Sequence, residues 1–326
     1  FNELLHVVED GTEVHRVVFA HRSWDMLDLA GMENARTLLR QSLRYCLKNE
    51  SWTASHFANT RGLLPKILDQ YSLISRPPTG LLRADHARVD ELSKAIFEGT
   101  PQQAAEAVAQ ALRENMAPDD IGEAMSLAAN QLVLRDVGRT EKMTAPGKPV
   151  GSTHGDSIGV HAQDSANAWR HIAKVSNQRN TAACLILGGY QVALDRVNRG
   201  GEFLEWEPRP YREETERIVH REPVALMKQL DGAIRENDQE RACAVMKLYA
   251  AGDHEIRPAL DLLVGYATSE DGALHAEKYY LTATSDYADT RPEFRWRHLV
   301  GLARVTASEY GRPAPGYAEA CELLGV

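Results

Sequence analysis

The sequence predicts an all-α protein built from antiparallel helical pairs with internal pseudo-repeats, arranged as a bundle or a short solenoid. Apolar residues recur at helical spacing along most of the 326 residues, whereas alternating runs of β-branched residues are hard to find. Several prolines and glycines, among them Gly31, Pro101 and Pro118, stand where helices would begin or end. A chain of this length can also bury a substantial core without metals or crosslinks.

Proline and glycine mark the ends of the predicted helices in the first part of the chain. Gly31 separates the first two helices, and the segment Arg-Pro-Pro-Thr-Gly at 76–80 follows the third. Pro101 and Pro118 stand at helix starts, where the missing amide of proline costs no hydrogen bond. The helices predicted here run over residues 13–30, 33–48, 55–71, 86–98, 101–115 and 118–134.

Two long interruptions divide the rest of the chain. Residues 136–153 and 198–212 each contain two prolines and at least two glycines, and we expect them to form loops. The apolar segment at residues 181–194 is too short to cross a bilayer, and its composition predicts a helix buried on nearly all sides. Gly188 and Gly189 would let a neighbouring helix approach this one closely. The helices predicted here run over residues 155–175, 178–198, 213–236, 239–251, 254–269, 272–288, 292–310 and 315–324.

An internal repeat organises the middle and the end of the chain. Residues 92–136 align with residues 230–271 when three residues near the centre are deleted, so that Ala104 matches Ala242. Each copy is followed by a further helical pair. The predicted organisation is an N-terminal segment at 1–80 packed on the rest, a first repeat at 81–200 and a second at 213–326, within one compact unit.

The helical pairs after the two copies, at 155–199 and 272–311, resemble an earlier pair at 12–49. Each pair has a histidine about fifteen residues before the turn between its helices. These histidines are His15, His161 and His275. Because equivalent helices of a repeat can face a shared interior, the recurrence predicts an interior pocket lined by histidines.

Charge and cysteine usage exclude several classes of partner. The 37 Lys and Arg residues and 46 Asp and Glu residues give a net charge of −9, which argues against a nucleic-acid or membrane partner. The four cysteines have no CxxC spacing, which favours a reduced protein of the cytoplasm. The chain begins at Phe1 rather than Met, which is consistent with further residues upstream. The cysteines are Cys46, Cys184, Cys243 and Cys321.

One helix carries a candidate metal site. His154 and His161 are seven residues apart and would share a helical face if the helix began early enough, and Asp164 follows His161 by three residues. Imidazole and carboxylate are ligands for iron, copper or zinc, and three such ligands leave positions open to activate water or dioxygen. The alternative is structural, because His161 lies on the flank of an apolar stripe and no HExxH motif is present.

Two further helices add candidates. In the first predicted helix, His21, Asp25 and Asp28 form one stripe that could bind a cation. In the predicted helix at 272–288, Lys278 lies one turn from His275, so that an acid and a base could meet there. Ordinary solvated helix faces would carry the same residue types. The predicted catalytic residues are His161, His275, Asp164 and Lys278, and the predicted metal ligands are His15, His21, His154, His161 and His275.

The motif Gly-Asp-Ser-Ile-Gly at 155–159 offers a different chemistry. It fits the G-x-S-x-G pattern in which Ser157 would be a nucleophile, but that pattern needs a preceding strand and the surroundings predict helix. A capped helix start explains the same residues. The sequence has no G-x-G-x-x-G after a predicted strand and no G-x-x-x-x-G-K-[ST]. A Rossmann dinucleotide site or a P-loop therefore has no support from a local motif.

Two segments carry a family resemblance. HRVVFAHRSWDMLD at 15–28 and VHAQDSANA at 160–168 resemble segments of large helical domains found beside Rieske ferredoxin modules, and the chain more distantly resembles questin oxidase-like helical proteins. The resemblance implies an oxidoreductase, or a protein that receives electrons from an iron–sulfur partner, and selects His15, His21, His161 and Asn167 for testing. The chain has neither C-x-H nor C-x-x-H, so a Rieske cluster would reside elsewhere.

These observations lead to one main functional hypothesis and two alternatives. The main hypothesis is a helical oxidoreductase of oxygenase type that acts on a small organic substrate, with iron or another transition metal held by histidines. The first alternative is a scaffold of helical repeats that binds a protein partner. The second is a serine hydrolase that uses Ser157.

Overall fold

The fold is all-α, as the sequence predicts. A computed structural model describes residues 2–252, 254–270 and 275–326. Within these residues the regular structure is helical, and strand-like pairing is limited to three isolated bridges such as the one between Leu82 and Met116. None of the helices in the described ranges combines the length and apolar character that a bilayer crossing requires.

The chain divides into two compact units, each made of two segments. The first unit comprises Phe1–Ala129 and Ala162–Gly200, and the second comprises Asn130–His161 and Gly201–Val326. Two helices contribute residues to both units, namely α9 (Pro118–Arg135) and α10 (Ile158–Val175).

The first unit contains one central helix surrounded by amphipathic ones. Ala182–Ala193 is buried without interruption, which confirms the buried helix expected there. A Cβ atom at Gly188 would overlap the sulfur of Met125, so this glycine permits the close approach. The helices are α1 (Asn2–Val8), α2 (Val14–Asp25), α3 (Leu27–Ala30), α4 (Ala35–Lys48), α5 (Glu50–His56), α6 (Ala58–Gln70), α7 (His86–Glu98), α8 (Pro101–Arg113) and α11 (Gln178–Arg199).

The second unit is also built around a buried helix. The last twelve residues of that helix, His298–Glu309, are all buried, and it packs mainly on the helices Gln239–Ala251 and Ala276–Asp289. The helices are α12 (Arg212–Arg217), α13 (Pro223–Arg235), α14 (Gln239–Ala251), α15 (Arg257–Ser269), α16 (Ala276–Asp289), α17 (Pro292–Glu309) and α18 (Tyr317–Leu324).

Several predicted boundaries are wrong. The helix predicted over 213–236 is two helices, since α12 ends at Arg217 and a new helix, α13, begins at Pro223, which occupies its first turn. The helix predicted over 13–30 ends at Asp25, and α1 and α5 were not expected. Two predictions fall partly outside the described residues. The predicted helix 272–288 would begin within 272–274, and the second repeat copy would end at Asp271.

The two segments of the predicted repeat contain the same order of elements. Residues 92–136 run through the end of α7, α8 and α9, and the described residues of 230–271 run through the end of α13, α14 and α15. The aligned residues Ala104 and Ala242 are both fully buried. The repeat and its proposed domain bounds stay predictions.

Two buried guanidinium groups in the second unit bind the carboxyl end of α9. Arg304 donates hydrogen bonds to the carbonyls of Val133 and Asp136, and Arg209 donates to those of Leu134 and Asp136. The last carbonyls of a helix have no partner within it, and cations are favoured at that end. Burial and the charge of Arg209 lower the pKa of Arg304 to about 10, so it stays protonated at neutral pH.

Replacing Arg304 should therefore destabilise the protein. An Arg304→Met variant keeps the aliphatic bulk but leaves the buried carbonyl of Val133 without its donor and that of Asp136 with Arg209 alone. We expect a loss of about 3 kcal/mol in the free energy of unfolding. Urea titration measures this loss. The control Arg257→Met removes an exposed arginine of α15 and should change stability by less than about 0.5 kcal/mol. Equal stabilities of the two variants would contradict the assignment.

Candidate functional site

Two of the predicted site residues meet in the second unit. His161 lies in the first turn of α10, and His275 directly precedes α16. Their ring centroids are 5.2 Å apart, the ring planes are inclined by 40°, and both side chains are half-buried. Two imidazole rings with centroids this close can each offer a nitrogen to one metal ion.

His275 packs closely against the loop before α10, and this contact depends on a glycine in that loop. A Cβ atom at Gly155 would overlap Cβ of His275 and lie 2.9 Å from Oε1 of Glu309. The amide of Gly155 donates a 2.7 Å hydrogen bond to that same oxygen, and the amide of Thr153 donates to Oγ of Ser308 at 2.8 Å. The end of α17 thus fixes the loop that leads into His161.

Glu309 is a buried carboxyl group in contact with this loop. Burial raises its pKa to about 7, because the ionised form loses its hydration, although the Gly155 amide and Arg312 partly oppose that effect. The group therefore titrates near neutral pH. A carboxyl with such a pKa can exchange protons close to the histidine pair.

His154 does not share a helical face with His161, because the helix does not begin early enough to include it. Helix α10 begins at Ile158, and His154 lies in the loop before it. Its ring nitrogens Nδ1 and Nε2 lie 3.2 and 2.8 Å from the guanidinium of Arg312. Burial and the charge of Arg312 lower the pKa of His154 to about 4. A neighbouring guanidinium opposes binding of a second cation, and we leave His154 out of the ligands proposed below.

Ser157 lacks the setting of a nucleophile elbow. The residues from Ser152 to Ser157 are irregular or turn structure, and the described segment 136–157 contains no strand. The adjacent Asp156 binds Arg139 and Lys148. Although burial raises its pKa, the hydrogen bonds and charges of these two cations lower it to about 2.

His15 lies in the first unit and has a carboxylate partner. Nδ1 of His15 is 2.6 Å from Oε1 of Glu13, which also caps α2 by accepting from the amides of His15 and Arg16. The hydroxyl of Tyr45 donates to the second oxygen of Glu13 at 3.0 Å. Because a carboxylate only accepts, this hydrogen bond favours a proton on Nδ1 and directs Nε2 to any metal, as in carboxylate–histidine–metal arrangements.

His21 is also in the first unit, where it stacks on His171. The ring centroids are 5.0 Å apart and the planes differ by 15°. Burial, together with the charges of Arg22, His171 and Lys174, lowers the pKa of His21 well below its ordinary value. The predicted stripe with Asp25 and Asp28 is not formed on one helix, because α2 ends at Asp25, which pairs with Arg22 at 3.5 Å.

The remaining candidates are placed on the expected helices. Asp164 and Asn167 are buried residues of α10, and Lys278 is a half-buried residue of α16. Sequence reasoning missed Glu13, His171, Glu309 and Arg312 as partners of the candidate histidines. Of these, Glu13 carried a signal, because an acidic residue directly before an apolar helical pattern can act as a cap.

Comparison with known proteins adds no assignment. The chain matches no protein-family model, no curated protein and no solved structure.

The contact at Gly155 predicts a position-specific response to alanine. A Gly155→Ala change should force His275 or Glu309 to move and destabilise the protein by about 1–3 kcal/mol. The control is Gly265→Ala in α15, where a Cβ meets nothing within 4 Å and the gain in helix propensity should stabilise by about 1 kcal/mol. Thermal and urea unfolding measure both. A neutral Gly155→Ala variant would show that the backbone approach is looser than described.

The raised pKa of Glu309 predicts a pH-dependent stability. The folded protein holds this proton more tightly than the unfolded chain, so the contribution is present below pH 4.5 and is lost as the pH rises through about 7. Relative to Glu309→Gln, the unmodified protein should lose up to about 3 kcal/mol of unfolding free energy across that window. Urea unfolding at several pH values measures the difference. Parallel curves for the two proteins would refute the shift.

Proposed function

We propose that the protein is a metal-dependent oxidoreductase of oxygenase type that acts on a small organic substrate. His161 and His275 are the proposed ligands. The observation that carries the proposal is that their imidazole rings lie side by side in the second unit, with centroids 5.2 Å apart, so that one ring nitrogen of each could bind the same metal ion.

The donor chemistry supports a transition metal. Imidazole suits iron, copper and zinc, and hard cations such as magnesium prefer oxygen ligands. A metal held by two imidazoles keeps positions open and would supply Lewis-acid or redox chemistry there.

The proposed reaction class follows from the family resemblance. An oxygenase of this type would insert one oxygen atom of dioxygen into a substrate bond, and the other atom would leave as water after taking up two electrons and two protons. An iron–sulfur partner is the proposed electron donor, and the reaction is proposed to take place in the cytoplasm. Asp164 and Lys278 are the proposed groups that move protons.

Metal content tests the proposal directly. Protein purified after growth with iron, or loaded with iron or copper, should contain close to one equivalent by mass spectrometry of the metal. His161→Ala and His275→Ala should each weaken binding by at least about a hundredfold. The control His220→Ala removes an exposed histidine of the second unit and should leave the metal content unchanged.

Two results would contradict the proposal. Less than about a tenth of an equivalent of any transition metal after loading, in folded protein, would remove the metal-dependent proposal. Equal loss of metal from His220→Ala and His161→Ala would show that the binding is not specific to the histidine group. Either outcome would favour the scaffold hypothesis.

A further inference from the structure

A cleft in the second unit is built from residues that the proposed metal chemistry does not use. It has a volume of about 370 Å³ and lies where the end of α14, the loop after it, α16 and the first turn of α17 meet. Its polar and aromatic walls are Lys247, His254, Tyr287, Arg295 and Trp296. Each of these five side chains is half-buried.

The two cations of this cleft have no carboxylate partner among the described residues. Lys247 and Arg295 each contact an aromatic ring instead. By contrast, Arg257 pairs with Asp261 at 2.6 Å, a distance typical of a charge-assisted hydrogen bond. Two unpaired cations beside a histidine are unexpected in a chain with a net charge of −9. The cleft therefore attracts an anion.

Aromatic rings form the other part of the walls. Nζ of Lys247 lies 5.4 Å from the ring centroid of Trp296, and the guanidinium carbon of Arg295 lies 4.8 Å from that of Tyr287. Such cation–π contacts contribute modestly and leave the charge of the cations uncompensated. The rings can stack on a planar ligand while the cations bind its anionic group.

We propose that this cleft binds a free 5′-mononucleotide. The phosphate would lie against Lys247 and Arg295, whose two charges match the charge of a phosphate monoester at neutral pH. The base would stack on Trp296, and His254 would supply a further hydrogen bond. The cleft volume falls in the range of small-ligand sites. The negative charge of the whole chain disfavours a longer nucleic acid.

Calorimetric titration of the full chain tests this site. The probes are AMP, GMP, CMP, UMP and FMN, each compared with its nucleoside or riboflavin and with inorganic phosphate. At least one nucleotide should bind with a Kd below about 1 mM, and its nucleoside and phosphate alone should bind at least about tenfold more weakly. Failure of all five nucleotides to bind would overturn the proposal, as would a nucleoside that binds as tightly as its nucleotide.

Charge-removing variants locate the site. Lys247→Gln and Arg295→Gln should each weaken nucleotide binding about tenfold, since each removes one charge-assisted contact. Lys228→Gln, at an exposed lysine of α13, is the matched control and should bind like the unmodified protein. Circular dichroism confirms that the variants are folded. Unchanged affinity in both cleft variants, or tighter binding of a single-stranded tetranucleotide than of any mononucleotide, would contradict the proposal.

Discussion

The second unit depends on two buried guanidinium groups at the carboxyl end of α9. Arg304 and Arg209 bind the last carbonyls of that helix, and both donate to Asp136, where the long loop to α10 begins. Gln239 links Arg304 to the same loop, because it accepts from the guanidinium and donates to the carbonyl of Gly151. A buried cation is stable only when its donors are satisfied by hydrogen-bond acceptors. These hydrogen bonds therefore fix both where α9 ends and where the loop starts.

The other end of that loop is fixed by α17. Ser308 and Glu309 accept the amides of Thr153 and Gly155, and Gly155 has no Cβ to hold His275 away. The electrostatics of this end are unusual, because one carboxyl titrates near neutral pH and one histidine is held neutral beside Arg312. His161 and His275 are therefore brought together by the contacts of this loop with the end of α17.

The sequence predicts the fold better than the site. Helical periodicity and the prolines at 101 and 118 were sufficient for the all-α class and most helices, since these signals are local. The seven-residue spacing of His154 and His161 does not place them on one face. A shared face requires one continuous helix, and α10 begins only at Ile158. The contacts of Glu309 with Gly155 join residues far apart in the chain, and no local pattern encodes them. The recurrence of histidines in equivalent helical pairs was the signal that selected His161 and His275.

The proposed function requires that imidazoles of this chain bind a transition metal. X-ray absorption at the metal edge of the loaded protein tests this requirement, since the first coordination shell and the outer atoms of imidazole rings are both visible. We expect nitrogen ligands at about 2 Å with the multiple-scattering pattern of more than one imidazole. A first shell made only of oxygen atoms, with no imidazole pattern, would contradict it.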